Sequence, residues 1–183
     1  MIADLALPRA LDLPGEPWQL RRAVPDDVES LMALLAADPI SASKGDGAQG
    51  VDRPRYVAAL AGILADRNND LLVLDDAAGQ QVATFQLTRI PCLARRGSVR
   101  LQVEAVHVDA DLRSAGIGTA LMRWVIEVAA PATGAELIQL TSDAARGDAH
   151  RFYERLGFVG SHVGFKYTRG SSAGLPQSSG PEF

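Results

Sequence analysis

The chain of 183 residues has one cysteine, Cys92, two lysines, Lys44 and Lys166, and only 5% aromatic side chains. A single cysteine excludes an internal disulfide and a cysteine-rich zinc site. No apolar run approaches the ~18 residues that a membrane span needs. Near the N-terminus, Asp4, Pro8, Arg9 and Asp12 interrupt the continuous apolar core of a secretory leader. These absences predict a cytoplasmic setting. A formal net charge of −4 lacks the basic footprint that binds nucleic acid or an anionic membrane, so neither is expected as a partner. No His, Cys, Asp and Glu grouping has metal-ligand spacing, and no metal is expected.

What is present is ordinary for one globular domain. Hydrophobic residues make up 47% and charged residues 22%, and a chain of this length buries about 70% of its unfolded surface. The 16 arginines and abundant alanine match GC-rich codon usage and carry no chemistry of their own. Residues 1–16, with two prolines and no clear period, read as a flexible segment. Residues 17–169 read as the folded domain. Residues 170–183, with nine Gly, Ser or Pro among fourteen, read as a disordered tail.

Within the domain, strand and helix periods alternate. Strands are predicted at 18–23, 71–74, 81–90, 100–108 and 136–141, with one or two closing strands in 158–168. Helices are predicted from Pro25, over 55–67, 113–129 and 148–156, and residues 38–53 read as a loop. The strand at 100–108, the helix after it and the strand at 136–141 make a βαβ unit, hence a parallel pair. The expected fold is a mixed α/β sheet of six to seven strands with helices on both faces.

The chemically informative stretch is Arg113-Ser114-Ala115-Gly116-Ile117-Gly118-Thr119, between a strand and a helix. Unpaired N–H groups at a helix start form an anion site, and Arg113 adds a fixed positive charge. A Walker loop would need Gly-Lys before Ser or Thr, and a dinucleotide fingerprint would need a glycine where Leu121 stands. Neither is met. The pattern R-x-x-G-x-G resembles the acetyl-CoA pyrophosphate loop of the GNAT acetyltransferase superfamily. The strand Val103-Glu104-Ala105-Val106-His107-Val108-Asp109 and the run Ala149 to Phe158 (AHRFYERLGF) are similar to that family's central strand and late helix. Residues 140–162, with Arg146 and Asp148 to Tyr153, further resemble aminoalkylphosphonate acetyltransferases. Where many members carry a pantetheine-contacting Asn, this chain has Ala145-Arg146-Gly147.

The resemblance implies direct acetyl transfer from acetyl-CoA, a co-substrate, to the primary amine of a small molecule. Glu104 would be the general base, or else a strand carboxylate paired with an arginine. Tyr153 would be the general acid, or else a core tyrosine beside Phe152. The backbone of Val106, His107 and Val108 and the loop from Arg113 to Thr119 would hold the co-substrate. Protein lysine or N-terminal acetylation, or a non-catalytic CoA-binding module, are the alternatives, and a homodimer is common in the family.

Strand alternation sends His107 to the face opposite Glu104, where it would only pack. His150, one helical turn before Tyr153, reads as a helix-face or capping residue. His162 is a tentative substrate contact near the closing strands, and Cys92 is a passive loop residue. Arg89, Arg95, Arg96 and Arg100 cluster without an intervening acid. They are either a solvated hairpin tip or an anion site, with Arg95 and Arg96 the tentative substrate ligands.

Overall fold

The computed structural model describes residues 1–15 and 17–167. One sheet holds six strands in chain order: β1 (Arg9–Leu11), β2 (Trp18–Arg22), β3 (Asn69–Asp75), β4 (Gln81–Pro91), β5 (Val99–Val108) and β6 (Leu137–Leu140). All neighbours are antiparallel except β5 and β6, which run parallel. Their connection is the helix α4 (Ile117–Trp124), which continues as a π-helical turn over Val125–Ala129 and a last turn over Ala130–Thr133. The βαβ unit read from the sequence is therefore present.

Both faces of the sheet are covered, because strand residues alternate between them. On one face Val73 packs with Val28, Leu31 and Met32 of α1 (Val28–Ala36) and Leu60 of α3 (Arg53–Ala65). On the other, Leu72, Leu74, Phe85, Leu87, Leu101 and Val103 pack against Ile117, Leu121, Met122 and Trp124 of α4. Fully burying one such side chain contributes about 1.5–3 kcal/mol. A single-residue slip of β3 would exchange its two faces and forfeit much of this.

The elements differ from the sequence reading in several places. The N-terminal segment expected to be flexible carries, within residues 1–15, a 3-10 turn (Ile2–Asp4) and strand β1, with Ile2 and Leu5 in the core. Arg22 fixes this segment by donating to the carbonyls of Ile2, Ala3 and Leu5, each at 3.1 Å, while its Nε donates to Asp70 at 2.6 Å. The loop at 38–53 contains a short helix, α2 (Pro39–Ser43). The Asp38 side chain caps it by accepting from the Ser41 N–H at 2.8 Å. Helix α4 starts at Ile117 rather than Arg113, because Ser114 (φ 71°) and Gly116 (φ 86°) are left-handed. After α5 (Gly147–Arg155), residues 158–167 form no strand. Val163, Phe165 and Tyr167 alternate as strand residues do, but they are exposed and pair with no strand among the described residues. The tail at 170–183 lies outside the described residues.

Candidate active site

The parallel pair β5–β6 parts partway along its length. Its register runs from Arg100↔Leu137 to Val103↔Leu140 and stops there, while β5 continues to Val108. Beyond Val103, the side of β5 that faced β6 has no strand partner among the described residues. The opposite side stays paired with β4: His107 is opposite Thr84 and Val108 opposite Ala83, and the Asp109 N–H donates to Val82 O at 2.8 Å. Bonded and unbonded pairs alternate in an antiparallel ladder. Because the 82/109 pair is bonded, Val108 turns its own N–H and C=O away from β4, into the gap.

A bulge sits at the point of parting. Gln86 is opposite Glu104 and Thr84 is opposite His107, so β5 has one more residue than β4 between these pairs. Ala105 carries the irregularity at φ 49°, a left-handed conformation that is uncommon for alanine. The extra residue cancels the alternation counted from sequence. Thr84 and Gln86 are two apart on β4 and share a face, so His107 and Glu104 share it too. This corrects the expectation that His107 lies opposite Glu104. Thr84 is also opposite Val73, and Gln86 opposite Leu71. Both of these belong to the layer of α1 and α3, so Glu104 and His107 lie on that side. Glu104 is exposed and His107 half-buried. Among the described residues Glu104 is in no ion pair. Burial holds His107 below the ordinary imidazole value, with the charges of Asp38, Arg146, Asp46 and Arg113 acting in opposing directions.

At the far end of β5 the chain turns through Arg113 to Gly116, all exposed, into the N-terminus of α4. Gly116 occupies the capping position, and among the described residues no side chain accepts from the first-turn N–H groups. The dipole and free donors of a helix start therefore face outward beside Arg113, an arrangement that suits an anion. Gly118 lies against α5: a Cβ built there would stand 3.4 Å from the ring of Phe152, in van der Waals contact.

Helix α5 carries Tyr153 into an aromatic cluster, with ring centroids 5.1 Å from Phe152 and 5.8 Å from Phe158. Burial pushes the Tyr153 phenol above its ordinary value, and the nearby Arg146 charge pulls partly against it. Arg146 itself, at the N-cap of α5, forks onto Asp38. Its Nη1 donates to Asp38 Oδ2 at 2.8 Å, and its Nη2 donates to Asp38 Oδ1 and to Ser41 Oγ at 3.4 Å. Burial works against the charge on Asp38, but the Arg146 guanidinium and the Ser41 N–H outweigh it and hold the carboxyl well below the usual carboxylate range. Lys44 pairs with Asp143 beside this bridge. These contacts join the α1–α2 region to the loop after β6. The sequence reading missed them; its one available signal was an Arg where relatives carry Asn.

Other expected site residues fall elsewhere. Arg95 and Arg96, both left-handed and exposed, occupy the β4–β5 hairpin at the start of β5. The strand from Val99 to Glu104 sets them about 17 Å or more from Glu104. Arg89 donates to Thr133 O at 2.9 Å and Arg100 to Gln139 Oε1 at 3.2 Å. His150 Nε2 lies 2.9 Å from Asp143 O, and exposed His162 pairs with Ser161 Oγ at 2.8 Å. Cys92 is partly buried, with Sγ 3.7 Å from Ile90 O.

The fold is thus α/β, with a parted parallel pair whose longer strand leads into a helix start that has free N–H donors. Residues 36–158 match the model of the acetyltransferase (GNAT) family. That stretch is well over half of the chain, so the chain belongs to this family and is an acyltransferase. Aminoalkylphosphonate N-acetyltransferase of Salmonella typhimurium is 40% identical over 68 residues, 37% of this chain and 42% of that protein. The chain thus matches less than half the length of this curated relative. A crystal structure of a transcriptional regulator from Bacillus halodurans is 37% identical, with a TM-score of 0.77, covering 82% of this chain and 99% of that one. A predicted acetyltransferase from Clostridium acetobutylicum, solved with acetyl-CoA, shares the fold. It is 17% identical, with a TM-score of 0.62, over 82% of this chain and 96% of that one.

Proposed function

We propose that the chain moves an acetyl group from acetyl-CoA to the primary amine of a small molecule. The observation that carries this reading is the continuity of the β5–β6 gap with the uncapped start of α4. An extended pantetheine arm adds to the free edge of β5 as a short strand, bonding to the backbone of Val106 and Val108. The pyrophosphate then meets the N–H groups from Ser114 to Thr119, with Arg113 as counter-charge. Exposed Glu104 sits where the gap begins, on the side of α1 and α3, and takes a proton from the incoming amine. Tyr153, kept protonated by burial, gives a proton to the departing CoA sulfur. The name of the Salmonella relative favours an amine that also bears an anionic group.

Thiol release from acetyl-CoA tests this directly, measured with a panel of primary amines and with mass detection of the acetylated product. Release that depends on the amine supports the proposal. Turnover absent with every amine, in protein that is folded and binds acetyl-CoA, argues for a binding module instead.

A further inference from the structure

Acetylation of an ammonium needs three proton transfers. The ammonium loses one proton to expose its lone pair. Attack on the thioester carbonyl forms the N–C bond and leaves the nitrogen positive, so it must lose a second. The C–S bond then breaks with its electron pair on sulfur, which takes one proton up. Tyr153 serves the sulfur and Glu104 serves one of the nitrogen's protons. The other has no acceptor in that scheme.

We propose that His107 is the second proton acceptor, a catalytic residue that works with Glu104 on the same nitrogen. The proposal rests on the reading above that the chain acetylates a primary amine with Glu104 on the acceptor side. Three observations carry it. The bulge at Ala105 rotates His107 onto the face of Glu104, in adjacent rows of the sheet: Val73, Thr84 and His107 in one, Leu71, Gln86 and Glu104 in the next. Adjacent rows on one face are about 7 Å apart. The two side chains therefore flank one stretch of the sheet face, where an ammonium can lie between them.

Second, the ring nitrogens of His107 have no hydrogen-bond partner among the described residues, whereas those of His150 and His162 do. Third, His107 is half-buried among charges that offset one another. Asp38 is bound to Arg146, Asp46 accepts from the Tyr56 hydroxyl at 3.2 Å, Arg113 lies toward the loop, and Glu104 stands in the next row. Burial lowers the affinity of the ring for a proton below that of an ordinary imidazole, which favours the neutral form that can accept one.

The balance closes. One proton passes from the ammonium to Glu104, and one from the adduct nitrogen to the His107 imidazole. One passes from Tyr153 to the thiolate. Return of both acceptors and the phenol to their starting states releases one proton to water per turnover.

The test is the pH dependence of thiol release with 2-aminoethylphosphonate and putrescine as acceptors, for the wild type, His107→Gln, Glu104→Gln and the double variant. Acetyl-CoA titration and circular dichroism establish that each variant is folded. Expected is a loss of about 100-fold in kcat at pH 7 for His107→Gln, with acetyl-CoA affinity unchanged. The acid limb of the wild-type profile, below the ordinary imidazole value, disappears in that variant and persists in Glu104→Gln. A His107→Gln enzyme that binds acetyl-CoA and keeps wild-type kcat and acid limb overturns the proposal alone. A wild type that acetylates neither of these probes nor any other primary amine overturns the acetyltransferase reading and this proposal together.

Discussion

Arg146 grips Asp38 through both terminal nitrogens of its guanidinium, across 108 positions of chain. Asp38 caps α2, and Arg146 stands at the N-cap of α5, whose seventh residue is Tyr153. One bidentate pair therefore ties the α1–α2 region to the helix that carries the proposed acid. Asp38 is largely buried, so losing either partner strands a charge. Asp38→Ala should cost about 3 kcal/mol in urea unfolding. Arg146→Leu added to it should recover part of that loss, because the stranded cation is gone.

Asp27 and Asp38 also set the behaviour in acid. Burial opposes the charge on Asp27, but Arg21, forked onto it at 2.7 and 3.0 Å, and the Val24 N–H hold its carboxyl below the ordinary value. Asp38 is depressed in the same direction. A depressed folded value contributes stability that is fully present above the unfolded value of about 4 and is lost as pH falls through the folded one. The melting temperature should fall steeply below pH 4 and less steeply in Asp27→Asn, measured by calorimetry from pH 2.5 to 6.

Tyr153→Phe should lower kcat by about 100-fold or more while leaving acetyl-CoA affinity unchanged. The phenol must be protonated to act, and burial raises its value. Activity should therefore hold through pH 9 and fall only as pH rises through a value above the ordinary tyrosine range. Stopped-flow thiol release against pH reads both the rate and the limb.

Gly116 and Gly118 should respond differently to substitution. Gly116 caps α4 at φ 86°, so Gly116→Ala carries a left-handed penalty of about 1–2 kcal/mol and distorts the row of free N–H groups. Acetyl-CoA binding should weaken with it. At Gly118 the space for a Cβ ends 3.4 Å away at the Phe152 ring. Gly118→Val should overpack that contact by about 1–3 kcal/mol and displace α5. Denaturant curves and acetyl-CoA titrations of both variants separate the two effects.

Much of the central fold was legible because its signals are local. The period of two in β5, the 3.6 period of α4 and the return to an extended run at Leu137 define the βαβ unit without tertiary information. The loop from Arg113 to Gly116 could be placed at its strand–helix junction for the same reason. The bulge was not legible: Ala105 adopts a left-handed conformation that nothing about alanine favours, and one uncounted residue put His107 on the wrong face. The Asp38–Arg146 bridge joins distant segments, so no periodicity marks it. The N-terminal residues looked loose because their order comes from Arg22 and the core rather than from local propensity. Residues 158–167 showed the opposite error, since a strand-like alternation forms no strand without a neighbouring edge to bind it.

The central claim is that the β5–β6 gap and the start of α4 hold acetyl-CoA. Isothermal titration of the full chain with acetyl-CoA, against ATP and NAD as controls, addresses it most directly. The account predicts saturable one-to-one binding of acetyl-CoA, no comparable binding of ATP or NAD, and a loss of about tenfold in affinity for Arg113→Ala. Folded protein that takes up no acetyl-CoA would mean that the turn at Arg113 to Thr119 only packs, contradicting the account at its foundation.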